Sequence, residues 1–140
     1  MKFHLEIITP QRQAFEEEVE GVYVPTSRGT IGILAHHQAI FSALTEGEIK
    51  IDTGNKEYFL AIGGGFLQIT KDKVSILVSR AAHADELNEA EIKKAEESAR
   101  KIIAGQVKGE ELIAAQAMLR RSILELKVYR HRKNRPSQGL

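Results

Sequence analysis

The stretch from Ala61 to Ile69, "AIGGGFLQI", decides the fold, because three successive glycines read either as a phosphate-cradling loop or as a place where backbones meet closely. A phosphate loop aims glycine N–H groups at the anion and runs directly into a helix, whose positive end completes the site. Here the triplet leads into Phe66-Leu67-Gln68-Ile69, then a polar turn Thr70-Lys71-Asp72-Lys73, then Val74-Ser75-Ile76-Leu77-Val78. That is strand, turn, strand. Neither a Gly-Lys-Ser/Thr ending nor GxGxxG spacing is present. Gly63, Gly64 and Gly65 are therefore expected to serve a sheet, as a β-bulge or as a close approach that a side chain would obstruct.

Outward from the glycines, the first part of the chain repeats the same vocabulary. "FHLEIIT", "VEGVYVPT", "TIGILA", "AIFSAL", "GEIKID", "EYFLAI", "GFLQIT" and "KVSILV" are all strand-length and rich in Ile, Val, Phe and Leu. Turn signals such as Ser27-Arg28-Gly29, Glu46-Gly47 and Gly54-Asn55 separate them. Strands this frequent, with no helix between them, imply two packed antiparallel sheets. In "GEIKID", Ile49 and Ile51 alternate with Lys50 and Asp52, the period of two expected where one face is solvated. "FEEEVEG", with Glu16, Glu17, Glu18 and Glu20, reads as a solvated turn before a strand.

Near residue 85 the vocabulary changes to Ala, Glu, Lys, Arg and Leu. Ile92, Ala95, Ala99, Ile102 and Ile103 recur at three and four, one face of a helix. Asn88 as N-cap with Glu91 three residues on has the form of a capping box, and Leu87 with Ile92 that of a hydrophobic staple. A second series, Leu112, Ala115, Leu119, Ile123 and Leu126, predicts a helix from about Gly109 to about Arg132. The linker from Gly105 to Gly109 makes the pair a hairpin, with Gly105 suited to a left-handed residue at the first helix's end. The expected organisation is a β-sandwich over 1–85 and a helical hairpin with a basic tail over 86–140. A hairpin of this size buries too little to be stable alone, so its helices are expected to depend on docking.

Charge follows the same division. Residues 1–84 hold 8 Lys/Arg against 10 Asp/Glu, whereas residues 85–140 hold 12 against 9, so the helical part is the basic one. No run of 18 apolar residues and no basic-then-apolar leader occurs, which argues against a span or secretory signal. Zero cysteines exclude disulfides and thiolate metal sites. The histidines, at 4, 36, 37, 83 and 131, have no helical metal-ligand spacing, and on a strand the adjacent His36 and His37 would face opposite sides. The serines have no nucleophile-elbow context. No catalytic residue, cofactor or metal is expected.

"GTIGIL" leading into "HHQAI", and the glycines followed by "FLQI" and "VSILV", closely resemble the epsilon subunit of bacterial F-type ATP synthases. With the basic helical hairpin behind them, the resemblance spans nearly the whole chain. His37 retains the family's loop histidine, but the glycine before it and the proline after it are replaced. Gly64 and Gly65 match the family's paired glycines, and Gly63 stands where serine is common. The resemblance implies a non-catalytic rotor subunit, peripheral on the cytoplasmic face of the bacterial plasma membrane. Its sandwich would bind the gamma subunit and the c-ring through Thr30, His36, His37 and Gln38. Thr30 stands where some relatives carry an acidic residue. The helices would reach the alpha/beta catalytic head and inhibit ATP hydrolysis, with Arg120, Arg121, Lys127 and Arg130 facing an acidic loop of the beta subunits. No direct membrane insertion is implied. A nucleic-acid module is the alternative, motivated by Lys127, Arg130, Arg132, Lys133 and Arg135. Against it stand a pI of about 8.0 and a tail with Tyr129 as its single aromatic, so no nucleic-acid partner is expected.

Some epsilon subunits hold their helices folded with ATP, using an Ile/Leu-Asp-x-x-Arg-Ala motif at the start of the first helix. The matching residues here are Leu87-Asn88-Glu89-Ala90-Glu91-Ile92. Asparagine replaces the aspartate, and Glu91 replaces the arginine with a charge that repels phosphate. ATP binding is therefore expected to be weak or absent, with Arg80 and Arg100 as nearby sources of residual attraction.

Overall fold

The computed structural model describes residues 1–36 and 38–134, with side chains through residue 132. Ten strands come first: β1 (Phe3–Ile8), β2 (Gln13–Val19), β3 (Gly21–Thr26), β4 (Gly29–Leu34), β5 (Ile40–Leu44), β6 (Gly47–Asp52), β7 (Glu57–Ile62), β8 (Gly65–Ile69), β9 (Lys73–Val78) and β10 (Ala81–His83). A single 3₁₀ turn, Ala84–Glu86, precedes helices α1 (Glu89–Ala104) and α2 (Glu110–Asn134). Met1–His83 form one compact unit, and a second begins at Ala84.

Two five-stranded sheets build the first unit, in the orders β2-β1-β9-β8-β5 and β10-β7-β6-β3-β4. Their facing sides bury Leu5, Ile7, Val22, Val24, Ile49, Ile51, Leu60, Ile62, Leu67 and Ile76, each of them fully shielded from water. The alternation predicted for β6 is observed: Ile49 and Ile51 are buried, while Lys50 bonds to Glu57 at 2.9 Å on the outer face. One pair departs from the antiparallel expectation, since β1 and β9 run parallel from His4 beside Lys73 to Ile8 beside Leu77.

The glycine triplet sits where the chain changes sheet. β7 ends at Ile62 in the second sheet and β8 starts at Gly65 in the first. Opposite them β9 and β10 make the same change in reverse, so β7–β8 and β9–β10 form one bent hairpin that contributes a strand pair to each sheet. Sandwich corners are commonly built this way. The ladder continues through the bend, with Gly63 N–H donating to the Arg80 carbonyl and Ser79 N–H to the Gly64 carbonyl, both at 3.0 Å. A β-carbon on Gly65 would lie 2.0 Å from the Leu77 carbonyl oxygen, and one on Gly63 2.1 Å from Ser79 Oγ. Gly63, Gly64 and Gly65 all lack a positive φ, so none supplies a left-handed conformation: Gly65 supplies room between backbones and Gly63 room for the Ser79 and Arg80 side chains, while Gly64 meets its nearest neighbour at 3.4 Å.

Three local readings are corrected. Residues of "FEEEVEG" form β2, not a turn: Phe15 and Val19 are buried against the core, Glu16 and Glu18 lie on the outer face opposite Glu6 and His4, and Glu17, opposite Leu5, is an exposed charge on the inward side of this edge strand. Gly105 is extended (φ −76, ψ −174), donating its N–H to the Lys101 and Ile102 carbonyls, and Gly109 (φ +66) is the left-handed residue of the linker. Ile123 is 48% exposed. At about 100° per residue the centre of the apolar face falls on Ala115, Ser122 and Leu126, all buried, which leaves Ile123 on its flank. The N-cap is as expected: Asn88 Oδ1 accepts from Glu91 N–H at 3.1 Å.

Candidate functional site

On strands, residues i and i+2 share a face. Because Leu67 and Ile69 of β8 point inward, Phe66 and Gln68 must point outward, and register carries Phe41, Ala43, Ser75 and Leu77 to the same outer face. Phe41 is 68% exposed, Phe66 50% and Leu77 46%. The two phenyl rings stack with centroids 5.4 Å apart. The other half of this face is charged. Lys73 Nζ donates to Glu6 at 2.9 Å, and His4 Nε2 donates to Glu16 at 2.8 Å, with Glu18 3.5 Å from its other ring nitrogen. The first sheet therefore presents an aromatic half beside β5 and an ionic half beside β2. Sequence reading passed over Phe41 and Phe66, although the alternation Phe66-Leu67-Gln68-Ile69 already pairs a phenylalanine with a glutamine on one side.

Thr30 lies exposed on β4, which ends the second sheet. Beyond β4 the chain turns through Ala35 and His36, the latter at φ +68 with its Nε2 donating to Met1 Sδ at 2.9 Å. Gln38 is exposed, and His37 lies outside the described residues. Thr30, His36 and Gln38 thus belong to one strand-and-turn that leads from the edge of the second sheet to the edge of the first, where β5 begins.

The helical unit divides the four predicted basic residues. At about 100° per residue, Arg120, Lys127 and Arg130 fall within an arc of about 80° that also contains the exposed Ile123, with the exposed Ile113 at its margin. Arg121 points elsewhere, pairing with Glu125 at 3.1 Å. It lines a cleft of ≈340 Å³ between α1 and α2 together with Glu86, Asn88, Glu91, Met118 and Glu125. Three carboxylates and one already-paired guanidinium make that cleft acidic. Arg100 pairs with Glu96 at 3.4 Å and lines a different cleft beside Arg130. Arg132 is bonded to Asp85, which holds its guanidinium above the ordinary range and ties α2 back to the 3₁₀ turn. The side chain of Lys133, and Arg135 altogether, lie outside the described residues.

Among the described residues no group of three His, Asp or Glu is placed to hold a metal ion, and no helix is long and apolar enough to cross a membrane. The chemistry lies instead on an aromatic sheet face, a strand edge and a basic helix stripe. Residues 2–84 match the beta-sandwich domain of the ATP synthase delta/epsilon chain, the class this fold defines. The chain belongs to the ATP synthase epsilon-chain family. It is 37% identical over 136 residues to the ATP synthase epsilon chain of Dehalococcoides mccartyi strain CBDB1, covering 96% of this chain and 97% of that one. The epsilon chain of Caldanaerobacter subterraneus subsp. tengcongensis is 37% identical over 129 residues, 90% of this chain and 92% of its own length. Among solved structures, a chain of the Euglena gracilis mitochondrial ATP synthase aligns with a TM-score of 0.68 at 21% identity, over 94% of this chain and 79% of that one. A chain from the Tetrahymena thermophila mitochondrial ATP synthase central stalk and c-ring aligns at 0.62 and 17% identity, over 92% and 97%. At those identities the two structures establish the shared fold.

Proposed function

We propose that this chain is a non-catalytic central-stalk subunit of a proton-translocating F-type ATP synthase, peripheral on the cytoplasmic face of the plasma membrane. Its sandwich links the gamma subunit to the c-ring, and its helices restrain ATP hydrolysis at the alpha/beta head. Family membership supports the assembly. The observation that carries the gamma-binding role is the stacked Phe41–Phe66 pair with Leu77, a solvated aromatic patch on an otherwise ordinary sheet face. Such a patch marks an interaction surface, and buried aromatics supply a large share of interface energy. The strand-and-turn of Thr30, His36 and Gln38, with His37, serves the same junction and faces the c-ring. The exposed stripe of Arg120, Lys127 and Arg130 suits an acidic partner surface.

Capture of gamma by the full chain tests the reading. The double substitution Phe41→Ser with Phe66→Ser should weaken capture by about tenfold or more, as loss of an anchoring pair does. His37→Ala together with a charge inserted at Gln38 should weaken it less, a histidine contact being worth about 1 kcal/mol. A native chain that fails to retain gamma, or capture indifferent to both sets of changes, rules the reading out.

A further inference from the structure

Paired strands set their outward residues side by side, so the outer face of the first sheet is ordered in rows. One row, Ile8, Leu77, Phe66 and Ala43, is apolar. The next runs Glu16, Glu6, Ser75, Gln68 and Phe41, so two carboxylates share a row with an aromatic of the proposed gamma site. Behind it stand Glu18, His4 and Lys73. Phe66 on β8 is two strand spacings from β1 and three from β2, which is about 10 and about 14 Å. A partner burying about 800 Å² on each side spans roughly 30 Å, so one that covers the Phe41–Phe66 pair also reaches the carboxylates.

What those carboxylates ask of a partner depends on His4. Glu6 is buried and bonded to Lys73 Nζ at 2.9 Å. His4 stands between the other two acids, with Nε2 2.8 Å from Glu16 and Nδ1 3.5 Å from Glu18. A protonated ring answers both carboxylates. A neutral ring donates one hydrogen bond and leaves two negative charges facing outward. The remaining charges near His4 are Lys2, Lys71 and Asp72, which with His36 line a cleft of ≈260 Å³ beyond the strand ends.

We infer that this face takes a partner surface that is apolar opposite Leu77 and Phe66 and basic opposite Glu16 and Glu18, and that binding it expels the proton of His4. The inference rests on the gamma reading and names the chemistry and the regulation of that site. A neutral His4 frees both carboxylates for lysine or arginine side chains of the partner, whereas a protonated one competes for the same oxygens and repels those cations. Linkage is reciprocal, so a partner that prefers the neutral ring must lower its pKa. In the free chain the bond to Glu16, with the charges of Glu16 and Glu18, holds His4 above 6.5. The exchange therefore falls on the alkaline side of that value.

Affinity of the full chain for gamma, measured at about pH 6 and about pH 8.5, tests the inference. Between them the native chain should gain about fivefold more than His4→Gln, which keeps a donor for Glu16 but does not titrate, and the gain should shrink in high salt. Glu16→Gln with Glu18→Gln should bind more weakly than the native chain at the higher pH. The ring resonances of His4 should titrate at lower pH in the native complex than in the free chain. A pH dependence as steep in His4→Gln as in the native chain, affinity indifferent to the two glutamates, or a His4 pKa that gamma leaves unmoved or raises overturns the inference. If capture still depends on Phe41 and Phe66 in that case, the gamma reading stands. A native chain that fails to bind gamma at either pH overturns both. Should His4→Gln misfold, the His4 resonances decide alone.

Discussion

Gly63 and Gly65 are confined by different kinds of atom, and the difference sets how each tolerates a side chain. Around Gly65 the obstacles are backbone: the Leu77 carbonyl oxygen at 2.0 Å and Val78 Cα at 2.7 Å from an added β-carbon. Around Gly63 they are the ends of Ser79 and Arg80, which rotate away, while Gly64 meets its nearest neighbour at 3.4 Å. Alanine should destabilise by about 3 kcal/mol at 65, about 1 kcal/mol at 63 and a few tenths at 64. Urea unfolding of the three variants gives the order, and a reversed order would contradict the close-approach account. His4 sets a pH dependence. The hydrogen bond from His4 to Glu16, with the charges of Glu16 and Glu18, holds His4 above its usual 6.5 and Glu16 below its usual 4.5. A raised histidine stabilises fully below 6.5, and that contribution is lost as pH rises through its folded value. The Glu16 contribution is present above 4.5 and lost as pH falls through its lowered value. Stability should therefore decline on the alkaline side of 6.5 in the native chain but not in His4→Gln; a rise there would reverse the sign of the coupling.

At the scale of elements, helix geometry separates residues that adjacency in sequence had grouped. Arg120 and Arg121 are neighbours in the chain yet about 100° apart on α2. If the stripe engages an acidic surface, reversing Arg120, Lys127 and Arg130 to glutamate should raise ATP hydrolysis by the assembled complex, with a difference that shrinks in high salt. Arg121→Glu, which breaks the pair with Glu125, should do less. Equal effects from Arg121 and from the stripe would remove the distinction. The acidic cleft between α1 and α2 makes an opposite prediction for nucleotide. ATP at millimolar concentration should leave the melting temperature unchanged, since even a tenfold excess over Kd stabilises by about 1.4 kcal/mol and would be seen. Titration calorimetry showing saturable, magnesium-independent binding would contradict it. The helices themselves were legible because capping and 3.6-residue periodicity are local. Ile123 was not, because one isoleucine at the margin of a face satisfies the spacing rule whether or not a neighbour covers it.

For the molecule as a whole, what sequence concealed is what depends on distant pairing. Three consecutive glutamates hide the alternation of β2, whose buried residues are Phe15 and Val19. Ala81-Ala82-His83 has little strand preference and becomes β10 by lying beside Leu60, Ala61 and Ile62. The parallel contact of β1 with β9 joins residues about seventy positions apart, and no local pattern announces it. The bent hairpin through the glycines has the opposite character, and this shapes how the sandwich comes together in time. Its inner pairs, from Ile69 beside Val74 to Gly65 beside Val78, close a short turn, and short loops lose little entropy on closure. Zipping onward through Gly63 and Arg80 extends the same ribbon into the second sheet. One local event thus seeds both layers in their correct relation before the distant β1 strand arrives. Substitutions at Leu67 and Ile76 should therefore slow folding, with φ-values of about 0.5–0.8, while Leu5→Ala and Val22→Ala should chiefly accelerate unfolding. Stopped-flow chevrons with the opposite assignment would place the nucleus elsewhere. On this view the glycine bend governs the order of assembly: a chain stiffened at residue 65 would build two sheets separately and have to find their alignment afterwards.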